Sequence, residues 1–320
     1  MVTDSQLSQA AGGDIAALSE LDGMGFLLGA EESGADLAAR VTGVRESLAA
    51  MSTELARDGA CEVDGLRFAA DEQIPPELFS HAGDLTERLY GFRVTWVPGF
   101  FVSRSLGWFF GGCAYHFPPH YFALFIIRRA FATRDRWLFY RRDELLAHEQ
   151  CHIARVRLNS AVFEEYFAYQ TSDSRFRRSA GWLFRGPRDS YLVLAAAGLL
   201  LFAQMIQSFA WPDMPVWPFW IGVAGVAFSF FLRQRRQAAV MRKARARLAD
   251  SAIRHPGAVL FRCTDAEIAH LARLAPGPAV AEWIAEQIRG SLRWRVISRR
   301  FLEAECGDAV QVGGESPTLQ

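Results

Sequence analysis

The chain has 320 residues, with 35 basic and 35 acidic side chains and a formal net charge of zero; this length buries a core in one or two domains without covalent staples. Its five cysteines, Cys61, Cys113, Cys151, Cys263 and Cys306, form no CxxC pair, which argues against a disulfide framework or a zinc ribbon and for a reducing compartment. The hydrophobic fraction of 51% is high for a soluble protein and traces to two long uncharged stretches in the second half.

Residues 1–39 contain no Lys or Arg and seven acids. With Gly12-Gly13 and Glu31-Glu32-Ser33-Gly34 as breakers, residues 1–34 are predicted to be a disordered acidic leader. They lack the basic flank and compact apolar run of a secretory signal, so the N-terminus is expected in the cytosol. Over 35–60, Leu37, Val41, Val44, Leu48, Met51 and Leu55 recur at three and four, which predicts an amphipathic helix.

From Cys61 the pattern becomes mixed. Phe92–Val97 reads as a strand stopped by Pro98-Gly99. Residues 105–127 carry no charge, but Gly111-Gly112 and Pro118-Pro119 interrupt them, so strands or an interfacial segment are expected rather than a spanning helix. His116 and His120 are four apart here, yet the two prolines forbid a regular helix, and no second metal site is predicted.

The chemistry-bearing feature is His148-Glu149-Gln150-Cys151-His152. Two histidines four apart on a helix project from one face, so both imidazoles reach one ion while the intervening Glu149 sits beside the open coordination position. Leu145, Leu146, Ile153 and Val156 supply the helical pattern, with Asp143 as its expected cap. Asn159-Ser160 is the turn before a second helical pattern over Val162–Tyr169. His152 is seven residues before that turn and Glu165 six after it, each about 10 Å away at 1.5 Å per residue, so an antiparallel helix pair brings them together. Glu165 is favoured as third ligand; Glu164, rotated about 100° around the helix, is the runner-up or a supporting group. Cys151 is rotated off the ligand face and reads as packing.

Ser190–Pro212 and Met214–Leu232 are each free of charge apart from the loop between them, and each is long enough to span a bilayer. They predict a two-helix transmembrane hairpin over 190–232, with Trp211, Trp217 and Trp220 as interfacial anchors. Arg175, Arg177, Arg178, Arg185 and Arg188 precede it, and Arg233, Arg235, Arg236, Arg242, Lys243, Arg245 and Arg247 follow it. By the positive-inside rule both termini and the histidine motif face the cytosol, placing the protein in the inner or cytoplasmic membrane if bacterial. No RNA or DNA motif accompanies the arginines, and no nucleic-acid partner is expected. Residues 233–305 read as a cytosolic helical region, with Thr264 capping one helix and Pro276-Gly277-Pro278 preceding another, and 306–320 as a disordered tail.

His148-Glu149-Gln-Cys-His152 with Glu165-Tyr-Phe-Ala168 resembles the two signatures of the gluzincin zinc metallopeptidases, and the plan is distantly similar to their membrane-bound CAAX-processing and heat-shock members. The signatures stand closer together here, and Tyr169 occupies the position of their Asp. The resemblance implies a mainly helical α+β fold, with residues 61–189 as a zincin-like module of HExxH helix and facing Glu helix. It implies Zn²⁺ on His148, His152 and Glu165, with Glu149 as general base toward the metal's water. Tyr169 is the candidate oxyanion donor, and Tyr121–Ile127 the edge strand that aligns an extended polypeptide substrate. Arg141, Arg142, Arg155 and Arg157 would place such a site above the bilayer. The competing expectation is a non-catalytic membrane scaffold with an inactive or structural motif.

Overall fold

A computed structural model describes residues 2–102, 110–118, 120 and 122–303. The chain opens with α1 (Asp4–Ala11), α2 (Ile15–Gly23) and α3 (Gly34–Asp58). A capping box of Ser33 and Asp36 starts α3, and Gly59 at φ 66° ends it, the left-handed residue that glycine adopts without strain. Its face of Leu37, Val41, Val44, Met51 and Leu55 is buried, as the spacing predicts.

The leader is not disordered. Leu7, Leu18 and Leu21 of α1 and α2 pack on Leu37 and Val41 of α3. Asp22 is buried and ion-paired to Arg262 at 2.7 Å and to Arg300. The cations that neutralise it lie at the other end of the chain, so the local excess of acids is not an excess in the fold.

A hairpin of β1 (Ala60–Val63) and β2 (Leu66–Ala69) leads to α4 (Ser80–Tyr90) and then to a three-stranded sheet of β3 (Gly99–Val102), β4 (Gly112–Phe117) and β5 (Phe122–Arg128), ordered β3-β5-β4. β3 pairs parallel and β4 antiparallel with β5. Two expectations change here. Phe92–Val97 forms no regular strand and joins no ladder among the described residues; Phe92 and Val94 are buried, and the Arg93 N–H donates to the Gly23 carbonyl at 2.9 Å. The strand begins at Gly99, where the sequence suggests a stop. The segment expected at the edge is instead the centre of the sheet: Ala123, Phe125 and Ile127 face the main core, and Phe122, Leu124 and Ile126 face α3. Burial on both faces is what an unbroken apolar run encodes. The edges are β3 and β4; Tyr121 lies outside the described residues.

A short ladder of β6 (Arg136–Trp137) and β7 (Tyr140–Arg141) precedes α5 (Arg142–Arg155), followed by α6 (Glu164–Tyr169) and α7 (Arg175–Ala180). Asp143 does not cap α5; Arg141 is the flanking residue, and Asp143 and Glu144 lie in the first turn, where they still complement the helix dipole.

Next come α8 (Pro187–Phe209) and α9 (Trp217–Asp250). The two-helix transmembrane hairpin is not reproduced: α8 is the one helix among the described residues long and apolar enough to cross a membrane. Met214-Pro215-Val216 precede the helix, so the charge-free part of α9 runs only from Trp217 through Leu232, sixteen residues or about 24 Å, short of the roughly 30 Å hydrocarbon core. The two helices nevertheless pack together, and Arg233 of α9 pairs with Asp189 of α8 at 2.6 Å.

The chain then forms α10 (Pro256–Phe261), α11 (Asp265–Leu271), α12 (Pro278–Gly290) and α13 (Leu292–Ile297), with Thr264 capping α11 as expected. These helices share the main core: Phe261, Cys263, Ile268 and Trp294 join Phe125, Leu146, Ile153 and Phe167. The tail expected over 306–320 lies outside the described residues. The whole is a mainly helical α+β fold with small sheets.

Candidate metal centre

The site forms where α5 faces α6. Between them, Val156–Leu158 tighten into a 3₁₀ turn and Asn159 takes φ 47°, a conformation asparagine tolerates better than most residues. The reversal brings the helices together as the spacing predicts. One donor atom from each of His148, His152 and Glu165 lies within 4.8 Å of the others. The two Nε2 atoms are 3.1 Å apart, and the Glu165 oxygens are 3.5 Å from His148 Nε2 and 3.7 Å from His152 Nε2. Donors each 2.0–2.1 Å from a tetrahedral ion stand about 3.4 Å apart. The trio therefore has both the donor chemistry and the spacing to hold a metal ion.

The two glutamates differ in their partners. Glu164 turns away, accepting from Arg155 Nε at 2.8 Å and meeting His152 Nδ1 at 3.1 Å. With Nδ1 engaged, the other nitrogen of His152 is aimed at the centre, the usual supporting role of a carboxylate behind a ligating histidine. Arg155 is fully buried, its guanidinium 4.4 Å over the Phe167 ring.

Charge is distributed unevenly over the pair. Burial opposes a charge on His152, but the Glu164 hydrogen bond and the charges of Glu149, Glu164 and Glu165 outweigh it and hold this histidine up at about 9. Burial, together with the His152 and Arg177 charges, pushes His148 well below its ordinary value.

Glu149 is buried, and its Oε2 accepts the Ala114 N–H of β4 at 2.8 Å. Burial raises its pKa, against the pull of His152. The edge strand therefore holds the carboxylate of the helix beneath it. Tyr169 lays its ring edge-on to His148, centroids 4.7 Å apart and planes at 80°, and Gly181 leaves room for that ring: a Cβ there would stand 2.4 Å from it. Cys151 is buried in the core, as expected of a packing residue.

Several supporting residues were not singled out from the sequence. Asp265 accepts Ser160 Oγ at 2.6 Å and the Ala161 and Val162 N–H groups at 2.8 Å each, clamping the turn that delivers α6. Glu144, one turn before His148, accepts Ser172 Oγ and Arg177, both at 2.8 Å, and the Asp173 N–H. A carboxylate one turn from a ligand was a legible signal; a partner a hundred residues downstream was not. His116 lies on β4 with a buried, unpartnered Nδ1, and burial with the His152 charge lowers it to about 4. His120 stands against Gly43 of α3, and His270 packs on Trp283 at 5.4 Å.

Comparison of the chain with protein-family models, with curated proteins and with solved structures gave no match.

Proposed function

We propose that the protein is a membrane-anchored zinc metallopeptidase with a cytosol-facing site. The observation that carries this reading is the triangle of His148, His152 and Glu165 with Glu149 inside the same helical turn. Two imidazoles and one carboxylate suit zinc and leave a coordination position open, as catalytic rather than structural sites do. Zinc bound there would supply a Lewis acid that polarises a scissile carbonyl and acidifies water.

The remaining work falls to the chain. Ala114 holds one oxygen of Glu149, and the other takes the proton of the attacking water and returns it to the leaving amine; burial raises the carboxylate's pKa toward the range a general base needs. Burial and the nearby Glu165 charge keep the Tyr169 hydroxyl protonated, which suits a donor to the developing oxyanion. Tyr169 also walls His148 in place. Substrates are polypeptides of the cytosol or cytosolic segments of membrane proteins.

Anchoring rests on α8, which is long and apolar enough to cross a membrane and whose Tyr191, Leu194, Leu201 and Phe202 are all exposed. Arg185 and Arg188 around the start of α8 and Arg233, Arg235 and Arg236 of α9 stand at one end of the helix pair, joined by the Arg233–Asp189 contact, and this basic end is the one placed toward the cytosol. Purified without chelator, the full chain is expected to carry about one zinc and to cleave a mixed peptide library. His148→Ala should lose the metal, and Glu149→Gln should keep it while cleaving nothing. Metal-free wild-type protein would overturn the zinc assignment; zinc-loaded but inert wild type would leave a scaffold.

A further inference from the structure

Behind α6, on the side away from the metal centre, lies a cavity of about 320 Å³, a size that admits a small organic ligand. Its lining divides by chemistry. Leu85, Leu89, Met241 and Leu260 make an apolar floor, while Arg88 of α4, Arg178 of α7 and Arg245 of α9 stand around it with the hydroxyl-bearing Tyr166, Thr171 and Ser172. Arg178 is held in place by the Ser172 and Asp173 carbonyls, at 2.6 and 3.0 Å. Asp173 is the one acid of the lining, and its carboxylate pairs with Arg141 instead. Arg88 and Arg245 have no carboxylate partner among the described residues. Three arginines from three helices thus line one cavity with an apolar floor, and the one acid of the lining is engaged elsewhere.

We propose that this cavity binds an organic phosphate, a phosphate monoester with an apolar or aromatic body, whose phosphate lies among Arg88, Arg178 and Arg245 and whose body covers the floor. Guanidinium forks match phosphate oxygens, and a free phosphate would leave the floor bare. On the bilayer placement proposed above, a lipid headgroup is a poorer fit. Arg245 lies twelve residues beyond Arg233 along α9, or about 18 Å from the end of the apolar segment. The ligand would brace Tyr166 and Phe167, the residues that follow Glu165 on α6.

Isothermal titration of the detergent-solubilised full chain tests this, with adenosine monophosphate, inorganic phosphate and vesicles containing phosphatidic acid as probes. Saturable binding of the nucleotide, tighter than that of inorganic phosphate, is expected. Arg88→Gln/Arg245→Gln should weaken it at least tenfold. Arg235→Gln/Arg236→Gln removes the same charge outside the cavity and should leave it unchanged. Equal loss in both double variants, binding of phosphate as tight as of the nucleotide, or binding to vesicles alone would each overturn the proposal. None of these readouts depends on peptidase activity.

Discussion

His152 carries the electrostatics of the centre, because Glu164, Glu165 and Glu149 all stabilise its charged form. A histidine whose folded pKa is raised from 6.5 to about 9 contributes stability that is fully present below pH 6.5 and lost as pH rises through 9. Metal-stripped protein is therefore expected to melt at progressively lower temperature between pH 6.5 and 9, and His152→Asn should flatten that slope. Metal binding must displace the same proton, so apparent zinc affinity should rise over this window. Glu164→Gln removes the charge behind His152 without altering the proposed ligands; chelator competition should read a roughly 10- to 100-fold loss of zinc affinity, the usual effect of such supporting groups.

Among the elements, α6 cannot form by itself: its six residues cannot repay helix nucleation. It is held from outside, by Asp265 at its entry, by Arg155 through Glu164, and by Phe167 in the core. Asp265→Ala should destabilise the fold by about 1–3 kcal/mol and weaken zinc binding, read by urea unfolding and chelator competition. Gly181→Ala tests the other wall, since the new Cβ meets the Tyr169 ring. Overpacking of this kind costs about 1–3 kcal/mol, and its trace should be a displaced His148 resonance in spectra of the folded protein.

At the scale of the whole molecule, the two ends of the chain close on each other. Asp22 accepts from Arg262 and Arg300, and Arg262 also donates to the Tyr90 carbonyl at 2.7 Å. Removing the carboxylate strands a buried guanidinium, which typically costs 3–5 kcal/mol. Asp22→Ala, and likewise deletion of residues 2–34, should therefore lower the urea midpoint sharply, where a disordered leader would be dispensable. The C-terminal helices are retained for the same reason: they supply Phe261, Asp265 and Trp294 to the core and to the metal-centre turn.

What could be read from the sequence was whatever rests on contacts within a turn or two: α3 and its buried stripe, the Thr264 cap, the apolar α8, and the two histidines on one face of α5 with Glu165 reached across a single short turn. Helical periodicity places such residues before any tertiary contact forms. The rest was decided at long range. Phe92–Val97 has a strand's pattern and finds no neighbour, whereas Phe122–Ile127 becomes central because β3 and β4 lie on both sides of it. Charge counting over residues 1–39 suggested a solvated leader, because the arginine that neutralises Asp22 stands 240 positions away. The different surroundings of Glu164 and Glu165 likewise needed Arg155 in place to draw one carboxylate aside. Side-chain direction follows from local backbone geometry, but which charges meet and which strand has neighbours depends on how distant segments pack.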